Sequence, residues 1–290
     1  MIDWPWNRFR EFIAPKADRF TVLRKIINEA ELEFSINNIA GNRHFFIMPP
    51  QKEEYNKRRL TILVAHYDRF PGSPGANDNS AAVLILIETA LKLIKDKISN
   101  WLIIFTDKEE LSGEEGIQNQ GAYSLAAEMR KVKMENSRFF IFDACGIGDT
   151  MLISTTADYL LKNEAGGEKL RASIKELREQ ALETAQNLRM IKVLLAPTLF
   201  SDDLGFLRAG VATQTITMLP SEECGSFISI LRKDPAFANV LVNKGLRNSK
   251  NERQIPETWR NFNSPRDNYL KLTPEHFSIV QRFAVALCKH

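Results

Sequence analysis

Three short apolar runs in this chain each stop at residues with metal-binding or acid–base chemistry. Leu60–Ala65 leads into His66-Tyr67-Asp68, Trp101–Phe105 into Thr106-Asp107-Lys108-Glu109-Glu110, and Phe139–Phe142 into Asp143. Such runs, bounded by turn residues, read as strands buried on both faces of a parallel sheet. Further runs at Met151–Ser154, Ile191–Leu195 and Val211–Met218 extend the set. Helical stretches lie between them. Asn79 to Ile98 follows the turn-rich Pro71-Gly72-Ser73-Pro74-Gly75 and is apolar nearly all round in its first half, as a helix packed on a sheet would be. Leu170, Ile174, Leu177, Ala181 and Leu188 recur at helical spacing. Near the end, Thr273 and Pro274 predict an N-cap and first helical residue, ahead of Phe277, Val280, Ala284 and Leu287 on one face. The alternation predicts an α/β domain with a largely parallel sheet. Pro220 to Arg260 is polar and mixed, and predicts a long excursion near the site. With no internal repeat and no low-complexity linker, one domain over residues 1–290 is expected.

Composition removes several classes of function. A hydrophobic share of 44% and a charged share of 26% belong to a folded chain rather than a disordered one. The formal charge is only +3 and no run of five like charges occurs, so neither nucleic acid nor an anionic membrane is expected as a partner. The longest apolar run, Ala81 to Ile87, is too short to span a bilayer, and Met1-Ile2-Asp3-Trp4-Pro5-Trp6 has no signal-peptide pattern. Cys145, Cys224 and Cys288 are odd in number and far apart, against both a disulfide framework and a thiolate zinc site. A cytoplasmic protein is expected.

A strand that runs out of the core delivers its last side chains to the carboxyl edge of the sheet, where α/β proteins build their sites. An imidazole at His66 can bind a metal, and Asp68 two residues on can take the ring's other N–H. Alone, a hydrogen-bonded core histidine explains that pair equally well. Gly75-Ala76-Asn77-Asp78-Asn79-Ser80 reads either as a turn with an N-cap or as a carboxylate, Asp78, placed to bridge two cations. Of the adjacent Glu109 and Glu110, one can ligate a metal while the other moves protons on the water that the metal activates. Glu114-Glu115 is a rival pair, read as a solvated loop. Asp143 repeats the placement. Carboxylates gathered at successive strand ends repel one another and need a cation.

These residues sit in the segments VAHYD, GANDNSAA, IIFTDKEE with GAYSLA, FIFDACG, SDDLGFLRAGV and PETWRNFNSPRDN, in that order from about residue 60 onward. In content and order they resemble the co-catalytic zinc aminopeptidases, the group that also holds glutaminyl cyclases and glutamate carboxypeptidases. The resemblance implies a three-layer fold, a mostly parallel mixed sheet flanked by helices, and one or two zinc ions. It implies a peptide or N-terminal amino-acid substrate, hydrolysed by a metal-activated water. By the same resemblance His66 and Asp143 are ligands of the first zinc and Asp78 bridges. Glu110 is a ligand of the second zinc, Glu109 the general base, Asp68 the carboxylate behind His66, and Asp202 a residue that helps line the pocket. Two positions depart from the pattern. Asn263 stands where the family has its last histidine ligand, and Asp203 where its Ser-Asp-His motif has histidine. An amide oxygen is a poorer zinc ligand than imidazole. One zinc, a harder metal such as manganese, and a binding module without catalysis therefore stay open, as does cyclisation by a single-metal enzyme.

Overall fold

The computed structural model describes residues 6–50, 59–111, 115–162, 167–189, 192–243, 246 and 248–289. Eight strands form one mixed sheet: β1 (Phe34–Ile39), β2 (Asn42–Ile47), β3 (Thr61–His66), β4 (Trp101–Thr106), β5 (Arg138–Phe142), β6 (Thr150–Ser154), β7 (Lys192–Ala196) and β8 (Thr213–Leu219). Their order across the sheet is β1-β2-β4-β3-β5-β8-β6-β7. The middle, β4-β3-β5-β8, is parallel, whereas β2 meets β4 and β6 meets β8 antiparallel. The helices in the first half of the chain are α1 (Phe9–Phe12), α2 (Arg19–Glu29), α3 (Ala81–Lys95), α4 (Gly121–Lys131) and α5 (Thr156–Leu160). Then follow α6 (Glu168–Asn187), α7 (Asp202–Arg208), α8 (Ser221–Lys233), α9 (Phe237–Val242), α10 (Ser249–Glu252), α11 (Glu257–Arg260) and α12 (Phe277–Leu287). No helix among the described residues is long and apolar enough to cross a membrane.

The central strands are apolar on both faces because both faces are covered. On β3, Leu63 and Ala65 pack with Ile26 of α2, Leu84 of α3 and Phe283 of α12, while Ile62 and Val64 pack with Leu125 of α4 and Phe206 of α7. Each such fully buried Leu, Ile, Val or Phe side chain contributes about 1.5–3 kcal/mol relative to exposure. Helix α3 lies between sheet and α12, which explains why Ala81 to Ile87 are all buried without an outward polar face. The fold is thus three layers about a mixed sheet, as the family resemblance implies.

Several elements differ from the sequence reading. Among the described residues of 220–260, α8, α9, α10 and α11 give the segment more regular structure than its mixed composition suggests. Phe227, Phe237, Leu241 and Trp259 bury a third cluster with Leu152 and Leu219, while Glu252, Ile255 and Arg260 line the cavity at the site, where the excursion is expected. The hairpin β1–β2 has no counterpart among the predicted strands. It turns at Ala40 and Gly41, both at positive φ (50° and 85°). That conformation suits a two-residue hairpin, but the Ala-Gly pair does not advertise it. Thr273 does not cap α12; a short 3-10 turn, Pro274–His276, precedes that helix, and the Thr273 hydroxyl accepts from Gly148 N at 2.9 Å. Of the predicted strand 191–195, Ile191 lies outside the described residues.

Candidate active site

Register brings the strand ends together. His66 closes β3 opposite Thr106 of β4, and Val64 pairs with Ile141 of β5, which carries Asp143 level with His66 across the parallel edge. Asp78 arrives from the loop Ala76–Ser80 that precedes α3. His66 is 1% exposed. Its Nε2 lies 3.1 Å from Asp78 Oδ1 and 3.7 Å from Asp143 Oδ1. Ligand atoms of these three residues all fall within 4.8 Å of one another. Tetrahedral ligands at about 2.0–2.2 Å from a zinc stand roughly 3.3–3.6 Å apart, so the spacing fits one cation after small side-chain adjustments. The donor set fits as well, with one imidazole and two carboxylates. Asp143 Oδ1 is buried without a hydrogen-bond partner among the described residues, an acceptor left for a cation.

Asp68 ties two strand ends into one unit. Its Oδ1 lies 3.3 Å from His66 Nδ1, and its two oxygens accept from Glu109 N and Glu110 N, each at 3.1 Å. The same carboxylate therefore sits behind the imidazole and fixes the turn bearing the glutamate pair. Both glutamates line the cavity over the sheet edge, about 520 Å³ in volume, together with Asp78 and Asp143. Gln120 Nε2 donates to Glu109 Oε1 at 3.2 Å. Burial lifts the Glu109 carboxyl well above the usual carboxylate range; the His66 charge opposes this, and Glu110, Asp202 and Asp143 add to it. Burial likewise pushes Glu110 up to about 9, with Asp78 adding to it. For His66, burial works against protonation, and the carboxylates of Asp143, Asp68 and Asp78 more than reverse it. The concentrated negative charge is the property a divalent cation would relieve.

The remaining predicted residues fall at different depths. Asp202 is fully buried rather than exposed to the cavity; Thr106 Oγ1 donates to its Oδ2 at 2.5 Å, and burial pushes its carboxyl up to about 7. Asp203 is also buried and accepts from Ser201 N at 2.7 Å. Asn263 lines the same cavity as Glu110 but is exposed, at a positive φ of 57° that asparagine tolerates. Glu115 is exposed at the cavity and pairs with Lys108 at 3.0 Å, and Glu114 lies outside the described residues.

Two supports were not singled out from sequence. Asp267, in the PETWRNFNSPRDN segment, is 2% exposed and its carboxylate accepts from Asn77 N and Asp78 N at 2.8 and 3.0 Å. It fixes the loop that presents Asp78. Asn79 and Asn77 sew that loop to the end of β5: Asn79 Nδ2 donates to Phe142 O at 2.8 Å, and Asn77 Oδ1 accepts from Gly146 N at 2.7 Å. An acid far along the chain carries no local signal of such a role.

The fold is that of solved peptidases and cyclases. A zinc aminopeptidase from Bacillus subtilis superposes with a TM-score of 0.56 at 16% identity, covering 84% of this chain and 49% of that one. This chain thus spans about half the length of that enzyme. Glutaminyl cyclase from Porphyromonas gingivalis superposes at 0.61 with 13% identity, covering 98% of this chain and 96% of the other. The LapA aminopeptidase of Legionella pneumophila gives 0.62 at 12% identity, covering 98% and 69%. No curated protein matches the chain in sequence. The model of peptidase family M28 matches residues 47–287, most of the chain, which therefore belongs to peptidase family M28.

Proposed function

We propose that this chain is a metal-dependent exopeptidase, acting as an aminopeptidase, with one zinc held by His66, Asp78 and Asp143. The observation that carries the reading is that triplet, buried at the carboxyl edge, with Glu109 on the same cavity. A cation there supplies Lewis-acid polarisation of the scissile carbonyl and makes a water easier to deprotonate. Glu109 takes the proton from that water and returns it to the leaving amine; a bound cation would relieve the crowding of negative charge that holds its carboxyl protonated, leaving it free to act as the base. Asp68 keeps His66 and the Glu109–Glu110 turn in register. Glu110 and Asn263 form, with Asp78, a second and weaker cation position. Asp202 acts from beneath the floor rather than as a wall. A cytoplasmic setting fits the three cysteines, all free and buried.

Cyclisation of N-terminal glutamine is the second reading, because one complete ligand triplet suits a single-metal enzyme. Both are tested by assaying aminoacyl 4-nitroanilides and glutaminyl peptides with the zinc-loaded and the chelator-treated protein. Release of nitroaniline that depends on zinc is expected. Pyroglutamate formation alone would replace hydrolysis with cyclisation, and turnover of neither substrate class by a zinc-loaded protein would reduce the chain to a binding module.

A further inference from the structure

Arg19 is the first residue of α2 and lies far from the cavity in sequence, yet only 6% of it is exposed. Its Nε donates to the backbone carbonyl of Tyr67, the residue between His66 and Asp68, and its guanidinium carbon stands 4.0 Å from the centre of the Phe12 ring. On the other side it meets the loop of Asp78. A methyl group added at Gly75, where φ is 62°, would lie 2.8 Å from Asp78 O and 3.4 Å from Arg19 Nη1. The guanidinium is therefore wedged between the strand end that presents His66 and the loop that presents Asp78. Neither Nη1 nor Nη2 has a hydrogen-bond partner among the described residues.

A buried cation with only one of its N–H groups paired is costly to keep. Packing alone would be served at lower cost by an apolar residue against Phe12. What the position does have is a field. Burial and the neighbouring Arg69 draw the guanidinium down to about 9, while Asp68, Asp78 and Asp267 act through space to hold it charged. Arg69 beside it spends its guanidinium on backbone carbonyls, those of Ile13, Ala14 and Pro15 and, at 3.4 Å, that of Pro74. Arg19 is thus a positive charge set against the carboxylates of the site from within the fold.

We propose that Arg19 is a positioning residue whose buried charge offsets the carboxylates behind the metal site, keeping that site assembled without metal and limiting how tightly it takes a divalent cation. The inference rests on the metal reading above. Like charges repel over this range in the protein interior, so the guanidinium and an incoming cation compete for the same negative field. A residue serving only to hold the loop would act with the opposite sign, since its loss would spoil the ligands and weaken the metal.

The sign is the test. Zinc and manganese affinities are measured by competition with a chromophoric chelator for the wild-type chain, Arg19→Met and Arg19→Lys, along with melting temperatures with and without each metal. Arg19→Met should melt lower without metal, bind zinc about tenfold more tightly, and gain more from zinc than the wild type does. Arg19→Lys should stay near the wild type. Zinc binding that is unchanged or weaker in Arg19→Met overturns the proposal while leaving the metal site intact in the wild type. A wild-type chain that binds neither metal overturns both readings. Arg19→Gln replaces Arg19→Met if the latter does not fold; failure of both neutral variants to fold even in zinc makes Arg19 purely structural and likewise overturns the proposal.

Discussion

The two halves of the carboxylate cluster are built on different foundations. His66, Asp78 and Asp143 stand on buried strand ends and a tightly sewn loop, and Asp68 and Asp267 clamp them from behind. Glu110 lines the same cavity as Asn263, an exposed residue with a left-handed backbone. The loop of Asn263 is itself well anchored: Trp259 packs against Phe227 at 5.2 Å, and Ser73 Oγ donates to Ser264 O at 3.1 Å. The weaker half is therefore weak in donor chemistry rather than in support. Asn263 offers a neutral amide oxygen, a poorer zinc ligand than imidazole, on a loop that is firmly held.

The largest effect should fall between the halves, on Glu109. Glu109→Gln keeps the shape and the hydrogen bond from Gln120 but cannot carry a proton, and kcat should drop about 10²–10⁴-fold with zinc affinity little changed. Steady-state rates beside a zinc titration check this; a kcat within a few-fold of wild type would move the general base elsewhere. Next comes the clamp of the strong half. Asp267→Asn removes the charged acceptor for two backbone N–H groups of the Asp78 loop, and zinc affinity should fall about 10–100-fold, as when outer-shell partners of ligands are lost. An unaltered zinc affinity in a folded variant would show that Asp78 needs no such support. The smallest effect should come from repairing the weak half. Asn263→His should strengthen a second ion roughly tenfold, about 1.4 kcal/mol, without altering the first. If it changes neither stoichiometry nor second-ion affinity, Asn263 is not a ligand position.

The contrast between halves also sorts what was legible in the sequence. β3, β4 and β5 could be read because strands covered on both faces need unbroken apolar runs, and a functional group at the end of each then stands out. Asp78 was legible through its loop-to-helix context, although the helix proper starts at Ala81. Helix α8 was not, because it buries little beyond Cys224 and Phe227 and leaves the rest of its residues polar or partly exposed. The resemblance implies that Asp202 lines the pocket, whereas as the first residue of α7 it is buried and accepts from Thr106. Asp267 and Arg19 act from 190 and 48 residues away on Asn77 and Tyr67. Sequence separation of that size hides a contact that only the fold creates.

Metal stoichiometry tests the central claim most directly. Wild-type protein and His66→Ala, both stripped by chelator, are titrated with zinc, and bound metal is measured by elemental analysis after gel filtration. One tightly held zinc per chain in the wild type and none in His66→Ala is the expected result. Zinc retained at full stoichiometry in His66→Ala, or no zinc held by a folded wild type, would contradict a site founded on His66, Asp78 and Asp143.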